Sequence, residues 1–361
     1  MLYYLTDNLL VDETHPAYQH ILQAIKRLGF AAIESNHLVT GDYEILKKTL
    51  EWFQDDELLA LFSGLVSNYA TQAVPSFITY YLEVVLDNPV VRTVDGITIA
   101  QILPCDLCRT ENVVSGSLIV EDINDAVFYD HILNWYVQNN RIKANFNYTK
   151  IHGGGNRIVD VIRQELAKKH ISMTVIDTDK RYPLYNVNVG TYKDCKKLGR
   201  KAVYYKFLPL DVHEIENLLP QNYIDLLDCW TTETGRVKKK LFDYLKADAE
   251  HILPYFDIKK GIKKNNIMND EGYFNFAMDC YNLNPEFVAK EPDFNTYCIN
   301  KKDEEFIYEG LINGIMKKIL EKIDDNSFPS PLLFDFQKKN WNAIGANMAN
   351  WFVARNLESL Y

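Results

Sequence analysis

Between Val113 and Leu208, short β-rich runs alternate with helical runs, and this order constrains the fold more than any other feature of the chain. Strands are expected at Ser117–Val120, Phe146–Ile151, Ser172–Ile176 and Ala202–Leu208, where β-branched and aromatic residues cluster. Helices are expected at Ala126–Tyr136 and Ile158–Leu166, where apolar residues recur at helical spacing. Strands alternating with helices at this spacing predict a parallel-type sheet joined by crossover helices. The expected fold class is α/β, with a central, Rossmann-like, mostly parallel sheet carrying helices on both faces.

The flanks have a different texture. Residues 1–112 read as a mainly helical region: Pro16 suits a first helical turn, and Tyr18, Ile21, Leu22, Ile25 and Leu28 form an apolar stripe. Ile45, Leu46, Leu50 and Phe53 repeat it. Asn88-Pro89 breaks the pattern, and Val90–Ile99 reads as strands around a turn at Asp95-Gly96. Residues 113–220 form the central domain. Residues 221–361 read as a helical domain, clearest at Asp225–Leu245, Glu304–Ile323 and Phe334–Leu357, with Lys259–Asn266 as an exposed loop.

Composition narrows the function classes. Hydrophobic residues at 47% and charged residues at 24% exclude a disordered or collagen-like chain of 361 residues. The net charge of −10 argues against a protein that coats nucleic acid indiscriminately, but not against a nuclease with a local basic track. The pair Cys105-Asp-Leu-Cys108 has no second half for zinc, and the eight histidines show no metal-ligand spacing. The first residues lack a basic and apolar leader, so a reducing, cytoplasmic location is expected. Leu58–Leu82 carries no charge, but Ser63, Ser67, Asn68, Gln72 and Pro75 interrupt it; it reads as buried helix, with no membrane partner.

In an open α/β sheet, reactive groups gather beyond the carboxyl ends of the strands. Here the first strand ends in Glu121-Asp122-Ile-Asn-Asp125, the second in His152-Gly-Gly-Gly-Asn156, and the third in Asp177-Thr-Asp179. Glu214-Ile-Glu216-Asn217 follows the fourth. Alternate residues past a strand end face one way, so Asp177 and Asp179 can converge, and with Glu121 they would make an oxygen-rich site for magnesium or manganese. Such a site holds metal against phosphate oxygens and activates water. The glycine turn allows close approach of backbone to a phosphate or to a neighbouring strand. Asp122 or Asn124 also suits a helix N-cap.

The order strand–Glu–helix–strand–glycine turn–helix–strand–Asp-x-Asp over Leu118–Asp179 resembles a toprim domain, the catalytic fold of topoisomerases, primases and several nucleases. LIVEDINDAVFY is similar to the first toprim motif. Asp125, four residues after the motif glutamate, and HEIENLL resemble toprim nucleases of the OLD (overcoming lysogenisation defect) type and stand-alone toprim effectors of bacterial anti-phage systems. The resemblance implies Glu121 as general acid/base and metal contact, Asp177 and Asp179 as metal ligands, and Asp125 and Glu216 as parts of a second metal position. It also implies a downstream lysine, for which Lys259, Lys260, Lys263 and Lys264 are open choices. Asp122 stands where the family carries glycine, and no GxxxxGK[ST] phosphate loop occurs.

Arg157, Lys180, Arg181, Lys196, Lys197 and Arg200 are candidates for contacting a nucleic-acid backbone. The resulting expectation is a magnesium- or manganese-dependent endonuclease acting on DNA or RNA in anti-phage defence, beside a separate ATPase or sensor and possible as a homo-oligomer. The alternative is a catalytically degenerate toprim-like sensor or interaction subunit, for which Asp122 is the main support.

Overall fold

The computed structural model describes residues 1–71, 74–187, 190–199, 203–311, 314–324 and 329–355. The chain groups into two compact units. The first comprises Met1–Val175, Asp194–Leu208 and Ala343–Tyr361; the second comprises Ile176–Lys193 and Pro209–Asn342.

The first unit holds two sheets. One is built from β1 (Leu2–Leu5), β2 (Leu38–Gly41), β3 (Tyr80–Val84), β4 (Val91–Val94) and β5 (Ile97–Ile102), in the order β2-β1-β3-β5-β4. Helix α1 (Tyr18–Ile33) makes the crossover between parallel β1 and β2, and α2 (Tyr43–Trp52) and α3 (Asp56–Ser67) lie between β2 and β3. The expected turn closes the β4–β5 hairpin, with Asp95 and Gly96 both at positive φ (50° and 81°), as a primed two-residue turn demands. A five-stranded, largely parallel sheet in residues 1–112 departs from the mainly helical expectation. Strands such as LYYL and LVTG are four residues long and nearly continuously apolar, too short for a period to register. The uncharged stretch from Leu58 resolves into α3, whose Asp55 carboxylate caps the first turn by accepting from Glu57 N and Leu58 N. Among the described residues no helix is long and apolar enough to cross a membrane.

The second sheet follows the predicted alternation: β6 (Gly116–Val120), α4 (Ile123–Asn139), β7 (Asn145–Phe146), β8 (Tyr148–His152), α5 (Ile158–Ala167), β9 (Ser172–Ile176), α6 (Gly190–Gly199) and β10 (Tyr205–Pro209). Its order is β10-β9-β6-β8, and β6 pairs in parallel with both β8 and β9. The central strands β6 and β9 are buried along their whole length, Ser117, Ser172 and Thr174 included. The run expected as one strand from Phe146 is split: β7 pairs antiparallel with β13 (Val353–Ala354), and only β8 joins the parallel sheet.

The second unit is mostly helical: α7 (Gln221–Asp225), α8 (Glu233–Leu245), α9 (Ala249–Ile252), α10 (Lys264–Ile267), α11 (Glu271–Asn282), α12 (Pro285–Lys290), α13 (Phe294–Ile299) and α14 (Ile315–Asp324). Helix α15 (Asp335–Phe352) starts here and ends in the first unit. Three expectations fail in this region. Asp225–Leu245 is not one helix: α7 ends at Asp225, a 3-10 turn spans Asp228–Thr231 and α8 begins at Glu233. Lys259–Asn266 is not an exposed loop but carries β11 (Gly261–Lys263) and α10, and Glu304–Ile323 is not one helix but begins with β12 (Phe306–Glu309), antiparallel to β11. Aromatic and β-branched residues in Phe306-Ile-Tyr favour the extended state, and Gly310 and Gly314, the latter at φ 74°, separate it from α14.

Candidate functional site

The chain leaves β9 at Ile176, and the next three residues are pinned to the segment 212–215. Asp177 Oδ1 accepts the Ile215 N–H at 2.9 Å, Thr178 Oγ1 donates to Val212 O at 2.6 Å, and Asp179 N donates to His213 O at 3.0 Å. Thr178 is buried while Asp179 is exposed, so the two carboxylates leave the strand end with the threonine turned inward, as alternation predicts. Asp179 sits at φ 50°, a left-handed conformation that aspartate and asparagine tolerate better than most residues.

The partner segment is itself held from behind. Glu214 N donates to Asn217 Oδ1 at 2.8 Å, and Asn217 Nδ2 donates to Leu253 O and Phe256 O at 2.6 and 2.8 Å. Gln337 Nε2 donates to Asn217 O and Leu219 O, and Trp341 Nε1 to Leu218 O. These buried amides satisfy carbonyls of the 3-10 turn Ile215–Leu218 and of the segment after α9, and they fix Glu214–Leu219 in place.

On this frame Asp179, His213 and Glu214 each place a ligand atom so that all lie within 4.8 Å of one another. His213 and Glu214 are buried. His213 Nδ1 lies 3.2 Å from the carbonyl of Lys180, an acceptor only, so Nδ1 carries the proton and donates. Nε2 then turns to the carboxylates of Asp257 and Glu214, at 3.8 and 3.9 Å. Without a cation Nε2 donates toward these carboxylates; a cation bound among them would displace that proton, with the Nδ1–H bond to the carbonyl already orienting the ring. Burial alone would push the His213 pKa down, but the hydrogen bond to Asp257 and the charges of Glu214, Asp257 and Asp179 outweigh it and raise it. The Glu214 carboxyl is pushed up by burial, against the opposing pull of Lys259 and His213. Asp257 moves down: burial is overcome by the His213 bond and the Lys260 backbone N–H.

Among the four candidate lysines, Lys259 is the one that enters this cluster. Its Nζ lies 2.9 Å from Glu214 Oε2 and 3.2 Å from Glu216 Oε2. Burial lowers its pKa, but Glu216, Glu214 and Asp177 raise it further, so it stays charged. Lys260 is exposed; Lys263 pairs with Glu304, and Lys264 with Asp303. Glu216, expected as a metal ligand, is buried, with Lys259 Nζ 3.2 Å from its Oε2.

Comparison with known proteins adds no relative: no family model, curated protein or solved structure matches the chain.

The remaining predicted residues fall as follows. Glu121 is half-buried on the bend directly after β6 in the first unit. Asp125 lies in the first turn of α4, where its carboxylate accepts the Asp122 N–H at 3.1 Å while Asp122 accepts from Asn124 N, a capping box. Asp122 therefore has a structural task. Gly153 serves a neighbouring strand: its N–H donates to Val120 O at 2.7 Å, and a Cβ there would stand 2.5 Å from Ile158 and 2.8 Å from that carbonyl. Arg157, Lys196 and Lys197 are exposed in the first unit. Lys180 lies 3.4 Å from Asp211 and over the Tyr255 ring; Arg181 lies over the rings of Tyr185 and Tyr273. Arg200 lies outside the described residues. The sequence reading missed His213 and Asp257. His213 directly precedes the acidic HEIENLL run, but its nearest acidic partners in space include Asp257, 44 positions later, which no local spacing could announce.

Proposed function

We propose that this chain is a metal-dependent nuclease that hydrolyses phosphodiester bonds in DNA or RNA, as an effector in anti-phage defence. The observation that carries the reading is the convergence of Asp179, His213 and Glu214 immediately beyond the β9 strand end, with Lys259 behind them. The donor chemistry fits a divalent cation: two carboxylates and one imidazole nitrogen, in a neighbourhood with a surplus of negative charge. The nitrogen makes the set suit manganese as well as magnesium, which prefers oxygen alone. When bound, such a cation supplies charge against phosphate oxygens and a water of lowered pKa.

The chain's own residues do the rest. Asp179 and Glu214 would hold the cation with His213, whose ring is oriented through its Nδ1–H. Asp177 keeps the 212–215 segment in register through the Ile215 N–H. Lys259 places a positive charge 2.9 Å from Glu214 and 3.2 Å from Glu216. The degenerate-subunit reading leaned on Asp122, and Asp122 caps α4, so its presence has a reason apart from loss of chemistry.

The test is incubation of the protein with plasmid, linear and single-stranded DNA, total RNA and tRNA, in magnesium, manganese or EDTA. Asp179→Asn and His213→Ala run beside the parent. Cleavage that needs metal and is lost in both variants is expected. Cleavage that survives both changes, or persists in EDTA, refutes the assignment.

A further inference from the structure

The segment after Asp179 leads directly into a cleft of about 680 Å³ in the second unit. Tyr182, Pro183 and Leu184 form one lip, and Phe276 and Ile252 contribute apolar wall. Asp279, Asn275 and Asn282 of α11, with Asp248 and its partner His251, supply polar groups. No part of the proposed nuclease chemistry uses this space.

The lip is seated on α11. The Tyr182 ring lies so close over Gly272 that a Cβ added there would stand 2.5 Å from the ring carbons. Its hydroxyl is also bonded to Asp270, just before the helix. Tyr182 and Tyr185 meet edge to face at 5.4 Å, and the Arg181 guanidinium stacks over Tyr185 at 5.9 Å. Leu184, by contrast, is 90% exposed at the tip of this turn. A planar aromatic wall is thus held in place at the edge of a cleft.

The polar groups select the occupant. Asp248 is paired with His251 at 2.7 Å, and Asp279 adds a second carboxylate, so the cleft favours N–H donors over phosphate. What fits is a flat group with an apolar face and an edge of N–H donors. Arg181 stands between this cleft and Asp179 in the chain. Three residue steps separate Asp179 from Tyr182, at most ~11 Å of backbone, within reach of one or two nucleotides.

We infer that the cleft bounded by Tyr182 and Asp279 is a nucleobase pocket: it takes an unpaired base, guanine above others, from a single strand whose phosphate passes Arg181. Guanine presents N1–H and the N2 amino group side by side, which one carboxylate can accept together. The inference rests on the nuclease reading and narrows its substrate to single-stranded or locally opened nucleic acid.

The experiment measures fluorescence anisotropy of a labelled twelve-nucleotide thymidine strand with one central guanine, in calcium. The same strand with inosine, which lacks the N2 amino group, is the comparator. The parent is expected to prefer guanine over inosine by about tenfold. Asp279→Asn should erase that preference. Tyr182→Ala should weaken both strands by roughly tenfold, the scale of one lost base–aromatic stack, and Tyr182→Phe should not. Gly272→Ala, which pushes the ring off its seat, should act like Tyr182→Ala. Free guanosine monophosphate should compete weakly if the base alone is read, and the strand far better if the phosphate track contributes.

Equal binding of both strands by the parent, unaltered in Tyr182→Ala, overturns the pocket. If such a protein still cleaves nucleic acid with metal, the nuclease reading stands without it. If the parent neither binds nor cleaves any strand, the nuclease reading has failed and the pocket falls with it. Binding of an arginine-rich peptide that Tyr182→Ala abolishes, with the strands ignored, would reassign the cleft to a protein partner.

Discussion

Each of the two units buries a histidine among carboxylates, and the two clusters differ in charge balance. In the first unit, His170 Nδ1 lies 2.5 Å from Glu165 Oε2 and Nε2 lies 2.7 Å from Ser115 O. Both ring nitrogens face acceptors, as those of His213 do. Lys168 Nζ meets the other Glu165 oxygen at 2.7 Å, and Ser117 Oγ lies 3.3 Å from Oε2. One carboxylate is thus matched by one histidine and one lysine. In the second unit, His213 and Lys259 stand among Asp177, Asp179, Glu214, Glu216 and Asp257, so carboxylates outnumber cations. A balanced cluster is complete as it stands and serves the fold. A cluster with surplus negative charge needs a proton or a cation, and that need is what makes it a candidate for chemistry.

The comparison can be broken most decisively by neutralising the surplus. Asp177→Asn with Asp179→Asn should reduce cleavage on the order of 10³-fold, as removal of a charge-stabilising group does elsewhere. Stability should shift by no more than about 0.5 kcal/mol. Asn keeps an acceptor for the Ile215 N–H and tolerates the left-handed backbone at 179. Urea titrations beside the cleavage panel check both halves. A large loss of stability would mean the second cluster is structural like the first.

The reverse holds in the first unit. Glu165→Ala leaves the buried His170 without its carboxylate and removes the partner of the exposed Lys168, and unfolding free energy should fall by about 3–5 kcal/mol. A loss below about 1 kcal/mol would show that this pair is not integral to the fold, and the contrast between the units would lose one side.

A smaller effect appears with pH. The His170 hydrogen bond, with further help from Lys168 and against a cost of burial, holds the Glu165 carboxyl down to about 2. Its folded value lies below the unfolded one, so its contribution is fully present above about pH 4.5 and is lost as pH falls through about 2. On the order of 2 kcal/mol should disappear over that window. The difference in stability between parent and Glu165→Gln, followed from pH 6 to pH 2, should shrink accordingly; a constant difference would contradict the assignment.

Much of the central sheet is legible in the amino-acid sequence. Runs such as SLIV and SMTVI are continuous enough to mark buried strands, and INDAVFYDHILNWY and IVDVIRQEL show helical spacing; all four form the expected elements. The short strands at Leu2–Leu5 and Leu38–Gly41 are not legible, because four residues carry too little pattern to outweigh the helices around them. At the candidate site, Asp177 and Asp179 can be named from one strand end. His213 cannot, because its ligand character depends on a carbonyl at Lys180 and a carboxylate at Asp257 that only folding brings to it.

By itself the sequence determined the alternation of strand and helix, the acidic residues at the strand ends and the glycine turn, since each depends on neighbours within a few positions. Tertiary structure alone decided which carboxylates are capping, paired or in surplus. Asp125 closes a helix cap, Glu216 is met by Lys259, and Asp179 remains beside His213 and Glu214. The physical reason is that a carboxylate's role is set by the charges and donors within a few ångströms of it, and those come from segments tens of residues apart.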